Sequence, residues 1–318
     1  MYEQIIKDTF KNLEVENFTV INNSLNLVFV CGGLVDVKEP IPTSMRGQLY
    51  AYTATEHEEF HNCLRMAESF KDYIESGQYD DLLHFEHDIA KISSQVLLFL
   101  ESPGSLVELG IFSSFENLYD KICVIAPEDH VESEDSFIFL GPLKRISTYV
   151  NEAVLTYPYD AEKGKFDKSV WGEICEDILS RVNSKNKVEK FRKNDDGHLC
   201  MLILEIINIC FPVQISEIES VLLSFQIKIP QKRLAQLIYL LLTLELIQKK
   251  KRSSNTYFFP PKKLANDNYI KFGSYSDKKQ FDKTKNKINL KQELAFNLKD
   301  KEQRRLSVLA KYGEENAQ

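Results

Sequence analysis

The sequence lacks any paired cysteine motif. Its six cysteines are scattered along 318 residues, and no two are separated by only two residues. This spacing excludes a zinc ribbon or a dithiol redox motif. The cysteines stand mostly in apolar or helical surroundings, where a free thiol packs as a small hydrophobic side chain. We therefore expect structural thiols at Cys31, Cys63, Cys123, Cys175, Cys200 and Cys210.

Long hydrophobic runs are also missing. No uninterrupted apolar stretch approaches the roughly 20 residues that a membrane span needs, and the N-terminus has no signal-peptide pattern. No internal repeat is present. We expect a cytoplasmic protein that does not contact a membrane.

One histidine pattern resembles a metal site, but the sequence shows no third ligand for it. His57 and His61 are four residues apart in His-Glu-Glu-Phe-His, which resembles the H-E-x-x-H zinc signature only in spelling. An exposed helix face explains the pattern better, so we expect no bound metal.

The charge is unevenly distributed along the chain. The formal net charge is −7, yet the stretch from Lys228 to Lys291 holds 16 lysines and arginines against 4 acidic residues. An acidic protein with a basic C-terminal third is typical of two modules with different partners. The length also favours two domains.

Strands and helices alternate in the first part of the chain. Apolar runs at 25–31, 96–100, 121–126 and 154–157 read as strands, and a long helix is expected from Ser44 to about Phe70. Alternation predicts an α/β domain with a doubly wound, mostly parallel sheet of the flavodoxin or Rossmann kind. Its predicted extent is 1–183.

The C-terminal part has a different pattern. Helices at 199–210, 216–224 and 231–244 precede two short strands, 247–251 and 256–259, with a polar tip between them. Three helices followed by a hairpin are the order of a small α+β winged helix-turn-helix domain. The predicted boundaries are 184–196 for a linker, 197–263 for this domain and 264–318 for a basic helical tail.

The most informative stretch is 96–112. A buried strand ends near Glu101, Pro103-Gly104 turns the chain, and Ser105 caps a helix whose first turns contain Glu108. Glu108 would lie near the carboxyl edge of the sheet, where open α/β sheets bind ligands. A helix N-terminus there also favours carboxylates and phosphates. The alternative is an ordinary strand, turn and helix with solvated Glu101 and Glu108.

Several motifs resemble one enzyme superfamily. Asp88-Ile89-x-x-Ile92 and Gly104-x-x-x-Glu108-Leu109-Gly110 are similar to motifs of the nucleoside 2-deoxyribosyltransferases. A closer resemblance is to the deoxyribosyltransferase-like effectors of bacterial retron anti-phage systems, over about 25–145. It rests on Cys31-Gly32-Gly33, Ser44-Met45-Arg46, Glu101-Ser102-Pro103-Gly104-Ser105, Glu108-Leu109-Gly110 and Phe137-Ile138-x-x-Gly141-Pro142.

The resemblance implies roles for particular residues. Glu108 matches the nucleophile that attacks the anomeric carbon of a ribosyl group, as in retaining glycoside cleavage. Asp88 matches the family's other carboxylate, which binds sugar hydroxyls or orients the nucleophile. Glu86 and the pair Asp80-Asp81 remain further candidates. Gly110 is expected to let the helix pack closely.

The sequence departs from the superfamily at Ser102, which stands where the transferases have an aspartate that protonates the base. Either Glu101 takes that role, or the leaving group needs no proton, as with the cationic nicotinamide of NAD. Phosphates are expected at backbone amides and at Arg46. The expected substrate-binding residues are Gly32, Gly33, Arg46, Ser102, Gly104 and Ser105, although Gly32-Gly33 also suits a plain tight turn.

Basic residues of the third C-terminal helix and of the hairpin are the candidates for nucleic-acid contacts. They are Lys232, Arg233, Lys249, Lys250, Lys251 and Arg252. A solvated charged face on a protein-binding winged helix is the alternative.

The resemblance, together with the basic C-terminal third, implies a retron anti-phage effector, a toxin that cleaves the N-glycosidic bond of NAD or a related nucleotide. The resemblance implies that a reverse transcriptase and its multicopy single-stranded DNA (msDNA), with the non-coding RNA, hold it inactive. NAD or a nucleotide would be the substrate, with no separate cofactor, and an oligomer is expected. The alternatives are a nucleotide-sensing DNA-binding regulator and a deoxyribosyltransferase of nucleoside salvage.

Overall fold

A computed structural model describes residues 2–11, 13–22, 24–35, 42–66, 77–128, 136–160, 162–184, 188–273, 287–298, 305 and 307–308. In chain order its helices and strands are α1 (Tyr2–Phe10), β1 (Thr19–Ile21), β2 (Val28–Cys31), α2 (Met45–Glu56), α3 (Glu58–His61), β3 (Leu64–Arg65), α4 (Leu82–Ile92), β4 (Gln95–Phe99), α5 (Pro103–Phe112), β5 (Ile122–Pro127), α6 (Lys144–Tyr149), β6 (Val154–Tyr157), α7 (Lys168–Ser184), β7 (Val188–Lys190), α8 (Asp196–Cys210), α9 (Ile215–Ser224), α10 (Gln231–Thr243), β8 (Gln248–Arg252), β9 (Asn255–Phe259), β10 (Ile270–Lys271) and α11 (Lys287–Leu298).

The chain folds as two compact units. One, the sheet unit, comprises Leu25–Glu75 and Asp81–Lys185, and the other, the helical unit, comprises Met1–Ser24, Ser76–Asp80 and Asn186–Gln318. One boundary between the two units lies between Lys185 and Asn186. The predicted first domain, 1–183, however, included the N-terminal segment, which belongs to the helical unit.

The sheet unit contains a five-stranded parallel sheet with the order β3-β2-β4-β5-β6. The predicted parallel α/β architecture is therefore confirmed. All residues of β2, β4 and β5 are buried, as expected for central strands covered on both faces. On one face Val30, Leu97 and Phe99 pack with Trp171 and Ile174 of α7.

The predicted long helix from Ser44 to Phe70 is shorter than expected. Ser44 does cap α2, since its side chain accepts a hydrogen bond from the Gly47 amide, but α2 ends at Glu56. His57 breaks the helix with φ −144° and ψ 64°, and β3 follows α3. A strand of two residues carries no detectable periodicity, and its pairing with β2 decides its structure.

The helical unit is built around α8. Every residue of α8 from Gly197 to Cys210 is buried, and the helix contacts α9, α10, α11, β9 and β10. Edge-to-face aromatic contacts close the core beside it, with Phe18 and Phe272 rings 4.9 Å apart. The order of three helices, α8 to α10, and an antiparallel β8–β9 hairpin agrees with the sequence expectation.

A small antiparallel sheet of the helical unit was not predicted. Its order is β10-β1-β7, so it joins the N-terminal segment, the predicted linker and the predicted tail. The linker residues Val188–Lys190 and the tail residues Ile270–Lys271 are therefore ordered strands. Strands of two or three residues that pair with distant partners give no local signal.

Free thiols are confirmed by the structure. The six cysteines form no disulfide; Cys63 is half-buried and the other five are buried. Within the described residues, no helix is long and apolar enough to cross a bilayer.

Candidate functional site

The strand order places a crevice between β2 and β4. From β2 the chain leads to β3 on one side, while β4 leads to β5 on the other, so the order reverses there. Open α/β sheets bind ligands at this position, outside the carboxyl ends of the strands. A cavity of about 750 Å³ lies there, and its lining includes Gly33, Ser44, Glu101, Ser102, Leu106 and Tyr159.

The N-terminus of α5 is fixed by two serines. The Ser102 hydroxyl accepts a hydrogen bond from the Ser105 amide at 3.1 Å, and the Ser105 hydroxyl accepts one from the Ser102 amide at 3.2 Å. Pro103 begins the helix. Ser102 also donates to the Gly32 carbonyl at 3.2 Å. The two serines thus form a capping box, which is a structural use of two predicted substrate-binding residues.

Glu108 lies in the second turn of α5 and is half-buried, with its Oε2 atom buried. Its carboxylate lies beside the thiol of Cys31, the last residue of β2. Burial raises the pKa of Cys31 well above its usual range, and the charges of Glu108 and Glu86 and a hydrogen bond with Glu108 raise it further, whereas Arg46 lowers it. The charges of two carboxylates and one guanidinium therefore act on the Cys31 thiol.

One α4 carboxylate whose charge acts on Cys31 is that of Glu86. Asp88, the predicted second carboxylate, is also buried, with 2% of its surface exposed. Residues two positions apart on a helix do not face the same side, so Asp88 and Glu86 point away from each other. The charge of Glu86 thus acts on Cys31 together with that of Glu108. Asp88 is the second buried acid of α4, and its predicted role stays a prediction.

Glu101 is held by backbone amides. Its carboxylate accepts hydrogen bonds from Gly33 at 2.8 Å, Met45 at 2.5 Å and Arg46 at 3.0 Å. Met45 and Arg46 begin α2, so the Glu101 charge also lies at the positive end of that helix. Both carboxylate oxygens are therefore occupied by backbone donors of the loop after β2 and the start of α2. This arrangement argues against Glu101 as the proton donor.

The two glycines after β2 serve close packing. A Cβ on Gly32 would lie 2.9 Å from Arg46 Cβ and 2.9 Å from Glu101 Oε1, and a Cβ on Gly33 would lie 2.8 Å from Ser44 Cβ. The Gly33 amide already donates to Glu101. The structure therefore favours the tight-turn alternative over a phosphate cradle at Gly32-Gly33.

Arg46 is buried, with 3% of its surface exposed. Its Nε donates to the Gly33 carbonyl at 2.6 Å and its Nη1 to the Val30 carbonyl at 3.4 Å. The guanidinium thus binds carbonyls at the carboxyl end of β2 and lies within electrostatic range of Cys31. It adds positive charge to the site while holding the chain there.

Gly104 and Gly110 are less constrained than the resemblance suggested. A Cβ on Gly104 would meet only Ser102 Oγ at 3.7 Å, and a Cβ on Gly110 would meet nothing within 4 Å. Both glycines are exposed on α5. Close helix packing at Gly110 was therefore a wrong expectation.

Two functional candidates were missed by the sequence reasoning. Cys31 was treated only as a structural thiol, although it ends β2 directly beside the Gly32 turn. Tyr159 follows β6 and lines the cavity. Burial and, to a smaller extent, the charge of Glu101 raise the pKa of its hydroxyl. The rule that strand ends meet at one sheet edge would have found both.

The predicted nucleic-acid contacts divide into two groups. On α10, Lys232 forms an ion pair with Asp80 at 2.7 Å, and Arg233 pairs with Asp196 at 3.1 Å. On β8, Lys249 and Lys251 are exposed and line a cavity of about 840 Å³ beside α10. Lys250 and Arg252 alternate with them and are half-buried.

The histidine pair is used within the fold. His57 separates α2 from α3, and Thr53 Oγ1 lies 2.9 Å from His61 Nδ1. Among the residues that the structure describes, no group of three or more histidine, cysteine or acidic side chains is placed to hold a metal ion.

The sheet unit defines the class of the protein: an α/β protein with a parallel sheet and a carboxylate-lined cavity at the reversal of strand order. The profile of the family described as "STM3845 retron effector protein" matches residues 42–249. This range covers more than half of the chain, which therefore belongs to that family and is a retron-associated effector.

Two curated relatives from Escherichia coli are similar to the chain. The "Retron Ec86 putative ribosyltransferase/DNA-binding protein" is 27% identical over 199 residues, 57% of this chain and 61% of the relative. The "Retron Ec73 putative ribosyltransferase/DNA-binding protein" is 27% identical over 216 residues, 63% of this chain and 66% of the relative. The chain thus spans less than two thirds of the length of the curated relatives it matches.

Proposed function

We propose that the sheet unit cleaves the N-glycosidic bond of NAD or a related nucleotide, with Glu108 as the nucleophile. The observation that carries the proposal is the position of Glu108. It is half-buried in the second turn of α5, beside Cys31 at the carboxyl end of β2. The 750 Å³ cavity at the same sheet edge is lined by Ser102, Pro103 and Leu106 of the α5 start and not by Glu108 itself. The names of the curated relatives, with their reference to ribosyl transfer, support the same reaction class.

The reaction is a displacement at the anomeric carbon. A Glu108 carboxylate oxygen forms a bond to C1′ while the bond from C1′ to the nicotinamide nitrogen breaks. The electron pair of the breaking bond neutralises the pyridinium, so nicotinamide leaves without a proton. Water then attacks C1′, which frees Glu108 and releases one proton.

The environment of Glu101 and Ser102 supports a cationic leaving group. Ser102 is committed to the α5 cap, and the Glu101 carboxylate accepts three amides. Neither side chain is arranged as a proton donor. A neutral nucleoside needs protonation of its departing base, whereas the nicotinamide of NAD does not, and this difference favours an NAD-type substrate.

The test is nicotinamide release from NAD by the purified full-length protein. Glu108→Gln removes the nucleophile at nearly constant volume and is expected to lower turnover by at least about 100-fold. Glu116→Gln, an exposed carboxylate shortly after α5, is the matched control and is expected to keep wild-type turnover. Wild-type turnover of the Glu108→Gln protein would exclude Glu108 as the nucleophile.

A substrate comparison separates this proposal from nucleoside salvage. We expect cleavage of NAD and no cleavage of neutral purine nucleosides under the same conditions. Base exchange between two deoxyribonucleosides would instead favour a deoxyribosyltransferase, and saturable NAD binding without product would favour a nucleotide-sensing regulator.

We also propose that α8 to β9 form a winged-helix module that binds the nucleic acid of the retron, through which the reverse transcriptase complex restrains the enzyme. The exposed ammonium groups of Lys249 and Lys251 on one face of β8 support this role. The double variant Lys249→Ala, Lys251→Ala is expected to bind a labelled single-stranded DNA more weakly and to lower its salt slope by about 0.7 per lost contact. The double variant Lys7→Ala, Lys190→Ala, elsewhere in the same unit, is the charge-matched control. If it weakened DNA binding as much as the hairpin variant, the assigned surface would be refuted.

A further inference from the structure

The polar face of α10 is already covered by another part of the helical unit. Lys232, Gln236 and Tyr239 are spaced i, i+4 and i+7 and so share one side of the helix. The segment Gly77–Asp80, here called the strap, contacts all three. Gly77 introduces it with a left-handed φ of 62°.

Gln78 and Asp80 of the strap make polar contacts with α10, and Tyr79 between them makes an aromatic contact. Both Asp80 carboxylate oxygens lie within 2.8 Å of Lys232 Nζ. Gln236 Nε2 donates to the Gln78 carbonyl at 3.0 Å. Tyr79 is 3% exposed, its hydroxyl donates to the Gln236 carbonyl at 3.4 Å, and its ring lies 6.2 Å from that of Tyr239.

The chemistry of the strap is that of a nucleic-acid strand. Its Asp80 carboxylate contacts Lys232, its Tyr79 ring contacts Tyr239, and its Gln78 carbonyl accepts a hydrogen bond from the Gln236 side-chain amide. A phosphate would meet the lysine, a base ring would contact the Tyr239 ring, and a base edge would bond the amide, which are the same three kinds of contact. Gln78 also lines the cavity that contains Lys249 and Lys251, so the strap lies beside the basic face of the hairpin.

The strength of the contact comes from Tyr79. The side chains of Lys232 and Asp80 are 61% and 72% exposed, and an ion pair this exposed is weak and sensitive to salt. Burial of the Tyr79 ring contributes more. A strap held mainly by one aromatic side chain can be displaced by a longer polyanion that gains several lysine contacts.

Along the chain, the strap is followed directly by α4 of the sheet unit. Asp80 is the last strap residue, and the next residue, Asp81, belongs to the sheet unit. The Asp81 side chain caps α4 by accepting the His84 amide at 2.8 Å. The same helix carries Glu86 and Asp88.

We propose that the strap is a built-in competitor for the nucleic-acid surface of α10, and that a bound strand displaces it and loosens the start of α4. The inference rests on the proposed nucleic-acid binding by the helical unit. It adds an intramolecular occupant of that surface and a route by which binding reaches the helix with Glu86.

The test measures binding of a fluorescein-labelled, 20-nucleotide single-stranded DNA to the full-length protein by anisotropy. Asp80→Asn removes the exposed anion and is expected to tighten binding about threefold. Tyr79→Ala removes the anchor and is expected to tighten binding about tenfold. Glu16→Gln is the control, because Glu16 is an exposed carboxylate of the same unit paired with Lys193 at 3.0 Å. It is expected to bind like the wild type.

Hydrogen exchange of the wild-type protein provides the second measurement. Addition of the same DNA is expected to raise amide exchange across 77–84, and the Tyr79→Ala protein is expected to show the raised level without DNA. The inference is overturned if Asp80→Asn binds no more tightly than Glu16→Gln and Tyr79→Ala no more tightly than wild type, or if DNA protects 77–84 from exchange.

These outcomes separate the inference from the proposed function. Equal DNA binding by all four proteins contradicts the strap alone, whereas the absence of binding by all four contradicts the nucleic-acid role as well. Neither measurement depends on glycosidic cleavage, so a negative NAD assay leaves their result unchanged.

Discussion

The Glu101 carboxylate lies 2.8 Å from the Gly33 amide, 68 residues earlier in the chain. This hydrogen bond joins the loop after β2 to the loop after β4, and two further amides at the start of α2 complete the contact. One half-buried carboxylate therefore links the two chain segments that border the crevice of the sheet unit.

The first prediction concerns Glu101. Replacement by alanine leaves three backbone donors without their acceptor and is expected to lower the free energy of unfolding by about 2–3 kcal/mol. Urea unfolding measures this change. Activity per folded molecule and the pH profile of Glu101→Gln are expected to match the wild type, since the role is structural. Loss of the alkaline limb of that profile would instead identify Glu101 as the acid.

The second prediction compares two glycines near the cavity. Gly32→Ala places a Cβ 2.9 Å from Arg46 Cβ and Glu101 Oε1, and overpacking of this kind costs about 1–3 kcal/mol. Gly104→Ala meets only Ser102 Oγ at 3.7 Å and is expected to be neutral or stabilising, by up to about 1 kcal/mol. Thermal unfolding of both variants is the measurement. If Gly104→Ala lowered the unfolding temperature more than Gly32→Ala, the loop after β2 would be able to shift and accommodate the added methyl group.

The third prediction concerns Arg305, a buried cation of the helical unit. Its guanidinium contacts the two Glu217 carboxylate oxygens at 2.6 and 3.0 Å and lies 3.9 Å from the centre of the Tyr2 ring. Glu217 also accepts the Gln214 amide at the start of α9.

Arg305→Ala leaves Glu217 buried without this cation, so we expect a loss of about 3–5 kcal/mol in chemical unfolding. Arg305→Lys keeps the charge and loses the planar two-oxygen contact, and it is expected to fall between alanine and wild type. If the two variants unfold alike, the charge itself contributes little.

The fourth prediction concerns acid sensitivity. Glu189 Oε1 lies 3.3 Å from His198 Nε2, and hydrogen bonding to His198 lowers the pKa of Glu189 to about 2 from 4.5. Because the folded state holds the ionised carboxylate, its contribution to stability is complete above pH 4.5 and is lost as the pH falls toward 2.

Glu189→Gln is expected to reduce stability at neutral pH and to flatten the pH dependence between 4.5 and 2, as measured by urea unfolding across that range. Glu14→Gln, an exposed carboxylate of the same unit, is the control and is expected to keep the wild-type slope. A Glu189→Gln protein with an unchanged slope would contradict the assignment.

Local patterns in the sequence predicted the elements with strong periodicity or turn chemistry. The predicted strand at 154–157 coincides with β6, and the strands at 96–100 and 121–126 differ from β4 and β5 by one residue at their ends. The helices α8 to α10 and the hairpin were also placed within a few residues. Apolar runs and caps are local properties, which explains this agreement.

Contacts between distant residues decided the rest. The pairing of β1 with β7 and β10, the hydrogen bonds from amides near Gly33 to Glu101, and the approach of Glu86 and Glu108 to Cys31 each join segments far apart in the chain. The same holds for Lys232, which the sequence presents as an exposed base and the fold pairs with Asp80.

By itself, the sequence determined the alternation of strands and helices, the position of Glu108 at a strand-to-helix junction and the concentration of positive charge in the C-terminal third. These properties depend on residue types at fixed spacings along the chain. Only the tertiary structure decided which carboxylates lie near Cys31, why Gly32 and Gly33 must be small, and that a four-residue strap covers α10. Such facts depend on distances between segments that the chain order leaves open until the packed core fixes them.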